Sequence, residues 1–263
     1  MSWHLVDLSV PLESTISEPE PISIELVDHR QGAFLLTQGS GLHADSFPDG
    51  LGLSLERIRL TSHSGTHVDA PLHYGPTSEG GKARSIDEMP LEWFFGKGIA
   101  LDCRTNDAGP VTCEEIKNAL DRQKLKLEAG DIVFINTGAD SLWGTSEYFT
   151  DFRGVSVEAT EWLIDCSIKV IGVDSFGFDP PFQKMILAYQ QTGDQEALWP
   201  CHMLGRKREY CQIERLANLS LLPVDRKFLV SCFPLKLKGC GASPARVVAL
   251  LTKEESNGIS ASS

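Results

Sequence analysis

Between Gly98 and Asp174 the chain alternates twice between a compact apolar run and a helical stripe, and this alternation narrows the folds open to it more than any other feature. Gly98-Ile-Ala-Leu-Asp-Cys103 is the first run. Thr112-Cys-Glu-Glu115 then has the spacing of a capping box, and Ile116 and Leu120 fall on one helical face behind it. Asp131-Ile-Val-Phe-Ile-Asn136 reads as a second strand. Ser156 can cap a second helix through Thr160, Trp162 and Leu163, after which Lys169-Val-Ile-Gly-Val-Asp174 is a β-branched run. A strand-helix-strand-helix-strand order implies crossover connections and parallel pairing, so an α/β core is expected. Phe228–Phe233 and Ala245–Leu251 add further strands. With 263 residues and neither a linker nor a repeat to divide it, the chain reads as a single domain over 1–253. Residues 254–263, which lack any apolar period, read as a flexible tail.

The chemistry concentrates upstream, in His63-Ser-Gly-Thr-His67-Val-Asp69-Ala-Pro-Leu-His73, which holds three of the seven histidines and a carboxylate. Glu56-Arg-Ile-Arg-Leu-Thr-Ser62 before it alternates polar and apolar residues like a strand, and Ser64-Gly65-Thr66 allows a sharp turn between His63 and His67. Along an extended chain His67 and Asp69 share one face and Val68 takes the other. Pro71 stiffens the exit, and His73 returns to the same neighbourhood. Imidazole nitrogen and carboxylate oxygen suit Zn, Mn, Fe or Co, and such a cluster is hard to bury without a cation. A structural zinc site would favour four closed ligands rich in cysteine, whereas this cluster is rich in oxygen and nitrogen and has a spare histidine.

The same segment resembles the His-x-Gly-Thr-His-x-Asp-x-Pro-x-His signature of the metal-dependent cyclase family, which includes bacterial kynurenine formamidase and isatin hydrolase; every fixed position is present. The resemblance continues through Trp199-Pro-Cys-His202, Glu209-Tyr-Cys-Gln-Ile-Glu214 and Phe233-Pro-Leu-Lys-Leu-Lys238. It implies that His63, His67 and Asp69 bind a first metal, that His202 and Glu214 complete a second site, and that Asp69 and Glu214 bridge. His73 would be the general acid and base. Members with one metal and an amide ligand make Gln212 a rival to Glu214, and both would face inward together from a strand. The implied fold is a swivelling-type mixed sheet or barrel-like core with flanking helices, and the implied assembly is a homo-oligomer. The implied cofactor is Zn or Mn, as one or two ions.

Bound divalent metal lowers the pKa of water from about 16 toward about 7 and polarises a carbonyl, so hydrolysis of a small amide, ester or lactone is the leading expectation. The alternative is a cyclase or dehydratase acting on a biosynthetic intermediate, for example of polyketide type. Kynurenine formamidases carry a tryptophan where this chain has Ser17-Glu18-Pro19-Glu20-Pro21, which argues against N-formylkynurenine. Longer relatives carry a tryptophan-rich, arginine-containing run where Gly172-Val-Asp-Ser-Phe176-Gly-Phe178-Asp-Pro180 stands, and Asp174 and Asp179 within it read as turn or capping residues. The net charge of -12 argues against nucleic acid or an anionic membrane surface as a partner and for a small-molecule substrate. No apolar run approaches the ~20 residues that span a bilayer, and the N-terminus lacks a signal-peptide pattern, so a cytoplasmic protein is expected. Seven scattered cysteines without a Cys-x-x-Cys pair read as reduced thiols.

Overall fold

A computed structural model describes residues 2–252, so the tail expected over 254–263 lies outside the described residues. Within them the chain divides into two compact units, Leu12–Thr61 and the chain on either side of it.

The larger unit opens with β1 (Trp3–Asp7). The smaller unit pairs β2 (Ser23–Val27) antiparallel with β3 (Leu55–Arg59), and between them lies α1 (His29–Thr37), capped by Asp28 and Gln31 in a reciprocal box. Two short 3-10 turns, Ala44–Ser46 and Pro48–Gly50, follow α1. Sequence reading anticipated the strand at 56–62 in part but not α1, whose polar and apolar residues lack a clean stripe.

The larger unit resumes with β4 (His67–Asp69), α2 (Pro71–Tyr74) and a small hairpin of β5 (Thr77–Ser78) and β6 (Gly81–Lys82). Then come β7 (Phe95–Asp102), α3 (Cys113–Gln123), β8 (Ile132–Asn136), α4 (Val157–Asp165) and β9 (Val170–Val173). The expected alternation is therefore present, with β7, β8 and β9 mutually parallel. Thr112 and Glu115 form the capping box in both directions, and the Ser156 hydroxyl accepts from Ala159 N–H. The chain continues through α5 (Phe182–Thr192), α6 (Pro200–Leu204), β10 (Cys211–Glu214), β11 (Phe228–Ser231), β12 (Ala242–Pro244) and β13 (Val248–Thr252).

Nine strands form one mixed sheet in the order β1-β13-β11-β7-β8-β9-β10-β4-β12, curled as a half-barrel, which matches the α/β core read from the alternation and the mixed, barrel-like sheet that the family resemblance implies. Residues along β8, β9 and β10 are buried throughout because both faces are covered. Ile99, Leu101, Val133, Ile135, Ile171 and Val173 pack under α3 and α4, while Phe134, Phe228, Val230, Val68 and Ile213 fill the opposite face. All seven cysteines are free thiols, and among the described residues no helix is long and apolar enough to cross a membrane.

Candidate metal centre

β4 lies between β10 and β12, so its side chains are flanked on both edges. Antiparallel register sets Glu214 opposite His67 and Gln212 opposite Asp69, and puts Ile213 opposite Val68. Because side chains alternate, the apolar pair enters the core while the four polar groups share the other face. Gly65, at φ +59°, turns the chain just before β4, and its carbonyl accepts a hydrogen bond from His67 Nδ1 at 2.8 Å. A carbonyl can only accept, so Nδ1 carries the proton and Nε2 keeps its lone pair.

That lone pair faces two carboxylates. His67 Nε2 lies 3.6 Å from Asp69 Oδ1 and 3.5 Å from Glu214 Oε2. His63 Nδ1 is 3.0 Å from Asp69 Oδ1, an ion-pair distance without hydrogen-bond alignment, since Oδ1 has no hydrogen-bond partner. From α6, His202 Nε2 approaches Asp69 Oδ2 at 3.8 Å and Glu214 Oε1 at 4.0 Å. Asp69 thus faces His63 and His67 through one oxygen and His202 through the other. His73, at the end of the α2 turn, is exposed at the rim; its ring centroid is 4.2 Å from that of His63 and 5.3 Å from that of His202.

Burial works to raise the pKa of Asp69, yet His67 and the other imidazoles outweigh it and hold the carboxyl well below its usual range. Glu214 is likewise held below its usual range, with burial opposed by the neighbouring imidazoles of His67 and His202. For His202, burial pulls down but the hydrogen bond to Asp179 and the nearby carboxylates of Asp69 and Glu214 push the imidazole up to about 10. These directions describe a site that stabilises positive charge among its carboxylates. A cation is the simplest way to meet that demand: His67 Nε2 and both Asp69 oxygens are buried without any hydrogen-bond partner, and buried polar atoms otherwise find one. Two overlapping sets, His63-Asp69-His73 and His67-Asp69-Glu214, each bring their ligand atoms within 4.8 Å of one another. The donor set, imidazole nitrogen with carboxylate oxygen, suits Zn or Mn.

Gln212 is turned differently. Its Nε2 donates to the Tyr210 hydroxyl at 2.6 Å, and the Tyr210 hydroxyl donates to the Cys201 carbonyl at 2.8 Å. Its Oε1 is buried without a hydrogen-bond partner, so an acceptor remains available on the same strand face as Glu214.

The family model described as "Putative cyclase" matches residues 6–180, about two thirds of the chain. The chain belongs to this cyclase family. Kynurenine formamidase of Bordetella petrii is 29% identical over 203 residues, covering 74% of this chain and 80% of its own length. Isatin hydrolase of Roseibium aggregatum is 27% identical over 205 residues, covering 74% and 73%. A crystal structure of an isatin hydrolase bound to the product analogue thioisatinate superposes with a TM-score of 0.72 at 24% identity, covering 95% of this chain and 93% of that one, which shows the shared fold. Relatedness to amide hydrolases of the cyclase family is thereby established.

Within this family frame the structure adds to the reading of two residues. His202 sits on a short helix, because Pro200 starts a turn only five residues long. Asp179, read as a turn or capping residue, does cap the first turn of α6 through Cys201 N–H and His202 N–H, but it is also 3% exposed and bonded to His202 Nδ1. Its position just past the C-terminal end of β9 was the available signal, since parallel strands gather functional groups there. Asp174 instead braces the loop after β8, accepting from Thr137 N–H and hydroxyl and from Gly138 N–H. Cys201 and Cys211 are buried, and burial pushes both thiols well above their ordinary pKa, which opposes a thiolate role.

Proposed function

We propose that this protein is a metal-dependent hydrolase that cleaves a C–N or C–O carbonyl bond of a small amide, ester or lactone. One observation carries the reading: two buried carboxylates and two inner histidines, with three unsatisfied ligand atoms, open onto an exposed histidine at the rim. His63, His67 and Asp69 would hold one divalent ion, and Asp69, His202 and Glu214 a second, with Zn or Mn as the candidates. Such ions, when bound, acidify water and polarise a carbonyl. Asp69 supports sharing between the two sets because its two oxygens face different histidines.

His73 is placed for proton transfer. Its pKa is lowered from the ordinary imidazole value, first by desolvation among its neighbours and also by the charges of His63 and His202, with Asp69 opposing. An imidazole on the open side of the cluster can take a proton from attacking water and return it to the leaving nitrogen or oxygen. The buried face behind it is closed by Tyr74, whose hydroxyl donates to the Asp69 carbonyl and accepts Gln212 N–H.

Incubation of the metal-loaded protein with formamides, lactones and cyclic imides in ¹⁸O-labelled water tests the proposal. Hydrolysis must place one solvent oxygen in the product acid. A product formed without label would assign ring closure or dehydration to this site instead.

A further inference from the structure

His202 lies on α6 beside buried Cys201 and Leu204, but the segment leading into that helix buries little. α6 is five residues long and follows a segment in which α5 buries only Met185 and the 3-10 turn at Gln195–Ala197 buries nothing. Trp199, which starts α6, sits at φ +48°, a left-handed conformation that is strained for a non-glycine residue. Asp179 stands on firmer ground. The Phe178 carbonyl accepts Val155 N–H at 2.8 Å, and the Asp179 backbone presses on Gly154 so closely that a Cβ there would lie 2.3 Å from the Asp179 carbonyl carbon.

From this anchor the carboxylate reaches three donors. Oδ1 accepts Cys201 N–H at 2.7 Å, while Oδ2 accepts His202 N–H at 3.2 Å and His202 Nδ1 at 2.5 Å. A carboxylate only accepts, so the bonded Nδ1 carries the proton and Nε2 is the nitrogen turned toward Asp69 and Glu214. One residue earlier, Phe178 N–H donates to Glu214 Oε1 at 2.7 Å. Two consecutive residues therefore hold two groups of the same cluster.

We propose that Asp179 is a positioning residue of the metal centre, setting the tautomer and aim of His202, and that with Phe178 N–H it brackets the distal half of the site. This rests on the reading of His202 and Glu214 as ligands. Outer partners of ligand histidines typically change metal affinity 10- to 100-fold.

The test is a double-mutant cycle on the full-length, metal-free protein: Zn²⁺ affinity by competition with a chromophoric chelator for parent, Asp179→Asn, His202→Ala and the double variant. The expected result is about 10- to 100-fold weaker binding for Asp179→Asn in the parent background and less than about threefold in the His202→Ala background. Melting in excess chelator supplies the structural control: Asp179→Asn should lower the melting temperature in the His202→Ala background through the bonds to Cys201 N–H and His202 N–H, and by more in the parent, where the bond to His202 Nδ1 is also weakened. Equal weakening of Zn²⁺ binding in both backgrounds, or none in the parent, overturns the positioning role. Parent-like Zn²⁺ binding by His202→Ala would instead overturn the ligand assignment on which it rests. If Asp179→Asn does not fold, Asp179→Ser runs through the same cycle under the same criterion.

Discussion

Removing the divalent ion should lower the melting temperature by roughly 6–12 °C. Three buried atoms, His67 Nε2 and the two carboxylate oxygens of Asp69, lack hydrogen-bond partners. Each unsatisfied buried polar atom costs about 1–3 kcal/mol, so an ion that satisfies all three at the low end restores about 3 kcal/mol. For a chain of this size 1 kcal/mol moves the melting temperature by about 2–4 °C, which gives the stated range. The proposed ligands come from the turn before β4, from β4, α6 and β10, so the unfolded chain cannot preform the site and binding energy becomes folding energy. The assay is thermal melting of protein equilibrated with Zn²⁺ or Mn²⁺, with and without excess chelator. Glu214→Ala should shrink the chelator effect, while His29→Ala, on α1 in the other unit, should leave it whole. An unchanged melting temperature on chelation of parent protein would refute the reasoning. If Gln212→Ala abolishes metal binding while Glu214→Ala keeps both metal and activity, the shared-carboxylate arrangement gives way to a single ion with an amide ligand.

Three further outcomes are expected. His73→Ala or His73→Gln should lower turnover by about 10²- to 10⁴-fold with metal content unchanged; loss of metal along with activity, by elemental analysis, would make His73 a ligand instead. Burial pushes the Asp174 carboxyl up to about 6, so its folded-state pKa exceeds the unfolded value of 3.8 and its favourable contribution, present below about pH 4, is lost as pH rises through about 6. That contribution is on the order of 3 kcal/mol, and Asp174→Asn, which cannot ionise, should show a flatter decline of melting temperature between pH 4 and 7; parallel curves for the two proteins would dismiss it. Gly154→Ala places a methyl 2.3 Å from the Asp179 carbonyl carbon and should destabilise by about 1–3 kcal/mol, read from urea unfolding, whereas a neutral substitution would show that the Asp179 backbone can yield.

Much of the scaffold was legible because its signals are local. β8 and β9 are runs of apolar residues buried on both faces, and the capping box at Thr112 and Glu115 satisfies backbone groups within one turn of the chain. The first half of the candidate metal site is legible for the same reason, since His67 and Asp69 share a face by the alternation of an extended strand. Gln212 and Glu214 were readable as a pair by that rule, but nothing local distinguishes them. In the folded chain Glu214 meets His67 while the Gln212 amide is drawn to the Tyr210 hydroxyl.

By itself, then, the sequence determined the alternation from β7 to β9, that the core is α/β, and that His63, His67, Asp69 and His73 lie together, because each of these follows from patterns among residues close in the chain. Only the tertiary structure decided that β10 lies beside β4, that a five-residue helix aims His202 at Asp69, and that Asp179 holds that histidine. Those facts depend on contacts between residues far apart in the chain, set by strand order and by backbone packing such as that of Gly154 on Asp179, and no periodicity or spacing encodes them.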